Sequence, residues 1–453
     1  MKNPRFFQFK KALVNFFVFW IISAILVVRL GATFKLTSAV PVINQLSPNS
    51  YSCEAKLDSE IAQNPEYINP DDSVVDAYEK SKIGNNLINN SSLEKLNTAG
   101  LPENYESNRS AYPSIKSLWT EKNGLRFLRA EQKLSGKNNQ TAWIPEFFAV
   151  SDKPYFFSFE YRASVESAVD IEFLRPDSST LTRGLYIIKP QIDWTIVRGH
   201  FDNYDGEFSK ARIIVTTTDT GYVDLSQPQV YELGHSLSQP MISIAFDDGW
   251  ESFYESARPL FAQHNIPTTQ FIIANFAQQK EKGHMDFAQI KTLQSEGHEI
   301  ASHSLEHCDQ IELNPKQLDS DTLKSEKIFY NAGFEQRRGF AYPYSRYNQT
   351  TQNHNKNYYA YIRSSDEGFN DYYFDISNIK TMSVEANTSV QTLNDWVQYA
   401  KKHNLWLVLL YHKIDGDGEY NNSKQDLEKH LEIIKNSDVK TYTISDALKV
   451  LGS

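Results

Sequence analysis

Apolar and polar positions divide the chain into three regimes. From Ala12 to Val28 apolar residues run on, broken only by Asn15 and Ser23, with Lys2, Arg5, Lys10 and Lys11 ahead of them. A bilayer-spanning helix needs roughly 20 such residues, whereas the apolar part of a signal peptide takes about 7–15. The run continues past Arg29 through Leu30 to Phe34, nearer the spanning length. Basic residues upstream keep that end in the cytoplasm and the remainder outside. A leader cleaved after Ala39 is the alternative. Residues 41–82 are polar, carry Pro41, Pro48, Pro65 and Pro70, and read as a linker with at most a short helix over Asp72–Lys82.

The second regime alternates with a period of two. Leu125–Ala130, Tyr155–Ala163, Val169–Leu174, Thr195–His200, Ala211–Thr217 and Tyr222–Leu225 are short, β-branched or aromatic, and punctuated by Asn, Asp, Gly and Pro. Such strands without intervening helices predict a β-sandwich over 83–235. Trp119, Trp143 and Trp194 fit its core, with a sugar-stacking platform as the sharper alternative.

The third regime, 236–453, alternates strands with helices. Met241–Phe246, Thr269–Ala274, Glu299–Ser302, Gly339–Tyr342 and Leu405–Tyr411 are the expected strands. Glu251–His264, Phe287–Glu296, Asp319–Ala332 and Leu393–His403 are the expected helices. Repeated βα units predict an α/β fold with a parallel sheet, closed or nearly so.

Composition narrows the partners. A net charge of −10 and a pI near 5.6 give no electrostatic footing for nucleic acid. Two cysteines, Cys53 and Cys308, exclude a disulfide scaffold and a multi-cysteine metal cluster. Free thiols are the expectation, with a Cys53–Cys308 bridge as the alternative.

Candidate chemistry gathers in the third regime. Met241–Phe246 ends in Asp247-Asp248-Gly249, which places two carboxylates at the carboxyl rim of a parallel strand, where ligands bind in α/β folds. One could bind a metal while the other manages protons; an Asp-Asp-Gly turn capping the next helix is the bland reading. His303 and His307 stand four apart after a second strand. Two imidazoles and a carboxylate make an N/O ligand set with open positions, suited to hydrolysis. His412 ends the apolar strand Leu405–Tyr411, placed to serve as a general acid. His264 and His298 read as structural.

Taken together, Ala245-Phe246-Asp247-Asp248-Gly249, His303-Ser304-Leu305-Glu306-His307, Ala341-Tyr342-Pro343-Tyr344 and Leu410-Tyr411-His412 resemble the NodB-homology polysaccharide deacetylases, carbohydrate esterase family 4. His264-Asn265-Ile266-Pro267-Thr268-Thr269 resembles that family's second strand. The resemblance implies a distorted (β/α)7-type barrel and a metal-dependent deacetylase. It assigns Asp248, His303 and His307 to one divalent ion, usually zinc, with iron, cobalt or nickel also compatible. Asp247 becomes the base, His412 the acid, and the backbone N–H of Tyr344 part of an oxyanion site. The start and end of the second regime, around Asn86–Glu94 and Gly221–Leu233, loosely resemble jelly-roll carbohydrate-binding modules.

This chain departs from the pattern at one motif. Ala341 stands where the family carries an Arg that contacts the base, and Ser345 replaces the Gly after Tyr344. Arg363, after an apparent strand Tyr358–Ile362, is the expected substitute, with Arg346 as the alternative. Asn394-Asp395-Trp396 only faintly echoes the fourth family motif, and Trp396 reads as helix packing. The expectation is therefore a membrane-anchored protein of a bacterial cell envelope, facing the extracytoplasmic space. Its predicted parts are an anchor (1–40), a linker (41–82), a β-sandwich (83–235) and a deacetylase domain (236–453). The substrate expected is an acetylated polysaccharide with N-acetylhexosamine units. A glycan O-acetyl esterase and a non-catalytic glycan-binding envelope protein are the rivals.

Overall fold

The computed structural model describes residues 80–96, 98, 102–103, 117–120, 123–132, 140–143, 147, 153–202, 208–217, 219–334 and 338–452. The anchor expected over 1–40 and nearly all of the linker fall outside them. Among the described residues no helix is long and apolar enough to cross a membrane.

Residues 82–233 form two antiparallel sheets. One contains Ser117–Thr120, Arg126–Gln132, Gly221–Leu233, Pro154–Ala163 and Gln191–Asp202 in that order, with Lys82–Ile83 paired to the far end of Gly221–Leu233. The other runs Gln140–Trp143, Lys210–Thr217, Ser167–Leu174 and Thr180–Ile188. Phe157, Phe159 and Val197 from the first sheet share one apolar core with Val169, Ile171, Phe173 and Ile213 from the second. Period-two alternation puts these side chains on one face of each strand. Thr180–Ile188 was not legible as a strand. The stretches 221–225 and 230–233 are one strand, irregular between Ser226 and Gln229.

Beyond residue 240 seven parallel strands close on themselves. They are Met241–Phe246, Thr269–Ile272, Glu299–Ser302, Gly339–Ala341, Tyr361–Glu367, Ile379–Ser383 and Trp406–Tyr411. The seam is uneven. Met241–Phe246 pairs along its whole length with Trp406–Tyr411, but meets Thr269–Ile272 only through Ala245 and Phe246. At its start it pairs instead with Lys440–Thr441.

Inside and outside alternate as a barrel requires. Met241, Ala245, Ala341, Tyr361, Val408 and Leu410 fill the interior cluster. Ile242, Ile244, Phe246, Leu407 and Leu409 pack outward with helix residues such as Leu293, Leu393 and Leu431. Trp396 is partly buried against this outer cluster, as packing rather than chemistry.

Several expectations shift. The helix predicted over Glu251–His264 is present, with a π-helical turn at Phe253–Ala257 ahead of Arg258–His264. The strand expected over Tyr358–Ile362 lies at Tyr361–Glu367, because the amides of Tyr358 and Tyr359 still close the preceding helix on Asn355 C=O. That helix, Gln349–Lys356, has no apolar stripe and begins with an Asn348–Thr351 capping box, so hydrophobic periodicity could not find it. Ile379–Ser383 is too short and mixed to read as a strand.

Cys308 corrects the free-thiol expectation: it is disulfide-bonded, and no described cysteine is free. The chain's one other cysteine, Cys53, is outside the described residues. Sequence separation carried no hint of pairing, whereas an oxidising compartment is where such a bond persists.

The sheets of 82–233 meet the barrel at the starts of its strands. Phe156, Leu233 and Tyr373 form a small buried cluster, and the Lys380 ammonium lies 3.0 Å from Asp202 Oδ2. His235, just before Met241, is 3.2 Å from the Tyr373 hydroxyl. The carboxyl rim is at the opposite end.

Candidate metal and acid–base site

Barrel alternation aims the reactive side chains before any of them interact. Asp247 and His412 continue the inward-facing rows Met241–Ala245 and Val408–Leu410 past the strand ends, into the mouth. Asp247 is 4 % exposed, and its amide donates to Tyr411 C=O at 3.0 Å, tying the two rim segments together. The chain then turns through left-handed backbone at Asp248 (φ 70°) and Gly249 (φ 73°), which re-aims the second carboxylate. A Cβ at Gly249 would also stand 3.0 Å from Ile272 Cδ1.

Asp248 faces the two histidines. Its Oδ1 lies 3.4 Å from His303 Nε2 and 3.3 Å from His307 Nε2, and one ligand atom from each of the three residues falls within 4.8 Å of the others. His303 Nδ1 is 2.9 Å from Ala341 C=O, an acceptor that requires the proton on Nδ1. A neutral ring then turns its Nε2 lone pair toward Asp248, the arrangement found around metal-ligating histidines. His307 is set by left-handed backbone (φ 59°), with its amide donating to Ser304 Oγ at 2.9 Å.

The ring of three thus fits a divalent ion by donor type, spacing and orientation. Burial and neighbouring charge compete at these groups. Burial alone would raise the Asp248 carboxyl, but hydrogen bonds and charge from His303 and His307 hold it far below the usual range. Burial would lower His303, yet Asp247 and Asp248 outweigh it and raise that imidazole.

Two further residues, found only in the structure, border the site. The Trp250 indole N–H donates to Asp248 Oδ2 at 2.8 Å, leaving Oδ1 for the histidines. Its ring stacks on His284 at 4.2 Å and lies beneath the Lys413 ammonium, 3.7 Å from the ring centre. Tyr420, in the loop after His412, lies 5.1 Å ring to ring from that histidine. Neither Trp250 nor Tyr420 had a sequence signal beyond closeness to Asp248 or His412.

Arg363 rises inside the barrel, fully buried, and its Nη2 contacts both Asp247 oxygens, Oδ2 at 2.6 Å. Nη1 donates to Ser365 Oγ at 3.1 Å, and the guanidinium carbon lies 4.7 Å from the centre of the Phe271 ring. A single nitrogen spans the carboxylate, rather than the two nitrogens of a guanidinium fork. Arg346 is elsewhere: half-exposed and paired with Asp309 and Glu312.

His412 Nε2 is 4.0 Å from Asp247 Oδ2. Burial holds this imidazole below its ordinary value, against the pull of Asp247 and Asp248. Tyr344 occupies a tight turn over Pro343–Ser345, with its ring 4.4 Å from that of His307. Both Tyr344 (φ 55°) and Ser345 (φ 58°) are left-handed, which explains why a glycine would suit the second position. His298 is structural: Thr268 N–H donates to its Nδ1 at 3.1 Å.

The sequence model of the family described as Polysaccharide deacetylase matches residues 234–361. YxkH of Bacillus subtilis (strain 168), whose name assigns it to the polysaccharide deacetylases, is 32 % identical over 114 residues. That match takes in 25 % of this chain and 40 % of the relative's length. Among solved structures, the Xyl-CE4 domain of a multidomain xylanase from the hindgut metagenome of Trinervitermes trinervoides is 19 % identical, with 48 % of this chain and 92 % of that one covered and a TM-score of 0.37. The peptidoglycan deacetylase PdaC from Bacillus subtilis is 13 % identical, with 47 % and 92 % covered and a TM-score of 0.33. At those scores the structural likeness adds nothing to the family match. Residues 234–361, which contain Asp247, Asp248, His303, His307 and Tyr344, are therefore similar to the polysaccharide deacetylases.

Proposed function

We propose that the protein removes acetyl groups from a polysaccharide of the bacterial cell envelope by metal-dependent hydrolysis of an amide, with an N-acetylhexosamine polymer as substrate. One observation carries the reading. A three-residue N/O ligand set, Asp248, His303 and His307, sits beside a separate carboxylate, Asp247, that is held by its own arginine. A divalent ion there, zinc or a similar borderline cation, would polarise the acetyl carbonyl and acidify water.

The remaining steps belong to the chain. Asp247 accepts a proton from the attacking water, with Arg363 fixing the direction of its carboxylate. The Tyr344 N–H stabilises charge developing on the carbonyl oxygen. His412 gives a proton to the sugar nitrogen as the carbon–nitrogen bond breaks, so acetate and a free amine leave. His412 is buried toward its neutral form, so on this reading it is charged during the reaction by the proton that the site gains from water. Asp247 Oδ2 is 4.0 Å from His412 Nε2, so the transfer between them runs through one bridging water.

In the same reading, residues 1–40 anchor the protein with its bulk outside the cytoplasm. The unit at 83–235 is a jelly-roll-like module that positions glycan, and the deacetylase domain spans 236–453.

The test is acetate and amine release from chitooligosaccharides, peptidoglycan and exopolysaccharide, with and without a chelator. Acetate and amine in equal amounts, abolished by chelator, is the expected result. Acetate without amine would make the protein an O-acetyl esterase, and no release from any of them would overturn the reading.

A further inference from the structure

We infer that Tyr420 is a sugar-binding surface on the leaving-group side of the site, where it selects glycans over small acetylated molecules. The inference rests on the proposed deacetylase reading and deepens it.

The mouth has two chemically different sides. Hydrolysis of an acetamido sugar separates an acetyl group, which must face Asp248, His303 and His307, from a sugar nitrogen, which must face His412. Whatever ring carries that nitrogen therefore lies against the His412 side. Tyr420 is the aromatic residue there: its ring is 5.1 Å from that of His412, tilted by 43°, and the residue is 53 % exposed. The other exposed aromatic at the mouth, Tyr344, lies against the ligand His307 and so on the acetyl side.

The Tyr420 loop is fixed before any ligand arrives. Lys413–Ile414 pairs with Asn421–Asn422, and Lys413 N–H donates to Tyr420 C=O at 3.3 Å. Gly416 N–H donates to Asn421 Oδ1 at 2.6 Å, and Ala386 N–H to Glu419 C=O at 2.8 Å. The Asn422 side-chain amide donates to Glu385 C=O at 3.0 Å. A ring held this way binds without the entropic loss of ordering a loop.

A single exposed tyrosine is ordinary on a protein surface, and Tyr330 on the helix Pro315–Asn331 is one with no chemistry beside it. Tyr420 differs in lying next to the residue that must touch the sugar. A pyranose ring offers a flat C–H face to an aromatic ring and hydroxyls to a phenol, so the ligand class is a hexosamine oligomer.

The experiment uses the full chain purified in detergent and chitohexaose as probe. Binding is measured in an Asp247→Asn background, which does not depend on turnover, and acetate release in the wild-type background. Tyr420→Ala should weaken binding and raise KM by about tenfold, and Tyr420→Phe should restore both to within about twofold. Equal metal content in all proteins separates this from damage to the ligand set.

Binding and KM indifferent to Tyr420→Ala would overturn the inference, as would no chitohexaose binding by the Asp247→Asn protein. A lowered kcat with unchanged binding would also overturn it, by showing that Tyr420 acts only through His412. Tyr420-dependent binding without acetate release from wild type would support the surface while the proposed reaction fails. Release without Tyr420 dependence would do the reverse.

Discussion

Arg363 and Ala341 stand opposite each other on adjacent parallel strands, both facing the barrel interior. The arginine that the Arg-x-Pro-Tyr pattern would carry at 341 is supplied here from the next strand, over the small side chain that took its place. Arg363→Lys should lower kcat by at least about tenfold, because an ammonium that reaches Asp247 has no second nitrogen to be held by Ser365 Oγ and so does not fix the direction of the contact. Metal content and thermal unfolding should stay as in wild type. Moving the arginine back, Ala341→Arg with Arg363→Ala, should recover part of the loss. A kinetically silent Arg363→Lys would leave Asp247 without need of a positioned partner.

The ligand set makes a separate prediction. His307→Ala should lose the ion in elemental analysis, since two donors remain of three. Trp250→Phe should keep all three ligands yet weaken divalent metal binding by roughly 10–100-fold, the usual effect of removing a hydrogen bond to a ligand. Competition with a chromophoric chelator measures this without any assay of activity. Equal affinity in wild type and Trp250→Phe would show that Asp248 needs no second partner to orient it.

Acid–base roles separate from binding. Asp247→Asn and His412→Ala should each retain metal and lose about 10²–10⁴ in kcat. Asp247→Asn near wild-type activity would be evidence against a base at this position.

How much of this could be read from the chain follows from which residues act locally. Asp247 and His412 were legible because each ends an apolar strand whose alternation continues into the mouth. His303 and His307 were legible from spacing; Arg363 was reached through a strand expected to end at Ile362, whereas it lies inside the strand Tyr361–Glu367. The Trp250–Asp248 hydrogen bond was not, because it depends on left-handed backbone at Asp248 that no hydrophobic pattern encodes. Tyr420 was hidden in a polar loop whose position is set by pairing with Lys413–Ile414. Helices without an apolar stripe, such as Gln349–Lys356, escaped for the same reason: capping and tertiary packing, not periodicity, define them.

Cys308 carries a prediction of its own. Thiol titration of the denatured, unreduced protein should find no free thiol, and reduction should release two, since the chain has only two cysteines. Reduction should also lower the temperature of unfolding, because a closed loop restricts the unfolded chain. Two free thiols before reduction would contradict the bonded state of Cys308.

The last prediction concerns His298, whose Nδ1 accepts the Thr268 N–H at 3.1 Å and lies 2.7 Å from the Thr268 hydroxyl. Burial pushes this imidazole down to about 4 from an ordinary value of 6.5, with nearby Glu296 opposing and Arg258 reinforcing. The unfolded chain therefore takes up the proton first as pH falls, and the His298 contribution to stability is whole above about 6.5 and lost on acidification toward 4. Buried Asp321 and Asp375, pushed up to about 7 and about 6, have the opposite sign and mask the effect in the whole protein. Comparison with His298→Gln, which cannot protonate, isolates it. The wild type should lose more of its unfolding temperature than the variant between pH 7 and roughly pH 5, and its His298 carbon signal should stay at the neutral position across that range. Equal losses in the two proteins, or a His298 signal that titrates near its ordinary value, would mean that burial does not hold the folded-state imidazole in its neutral form.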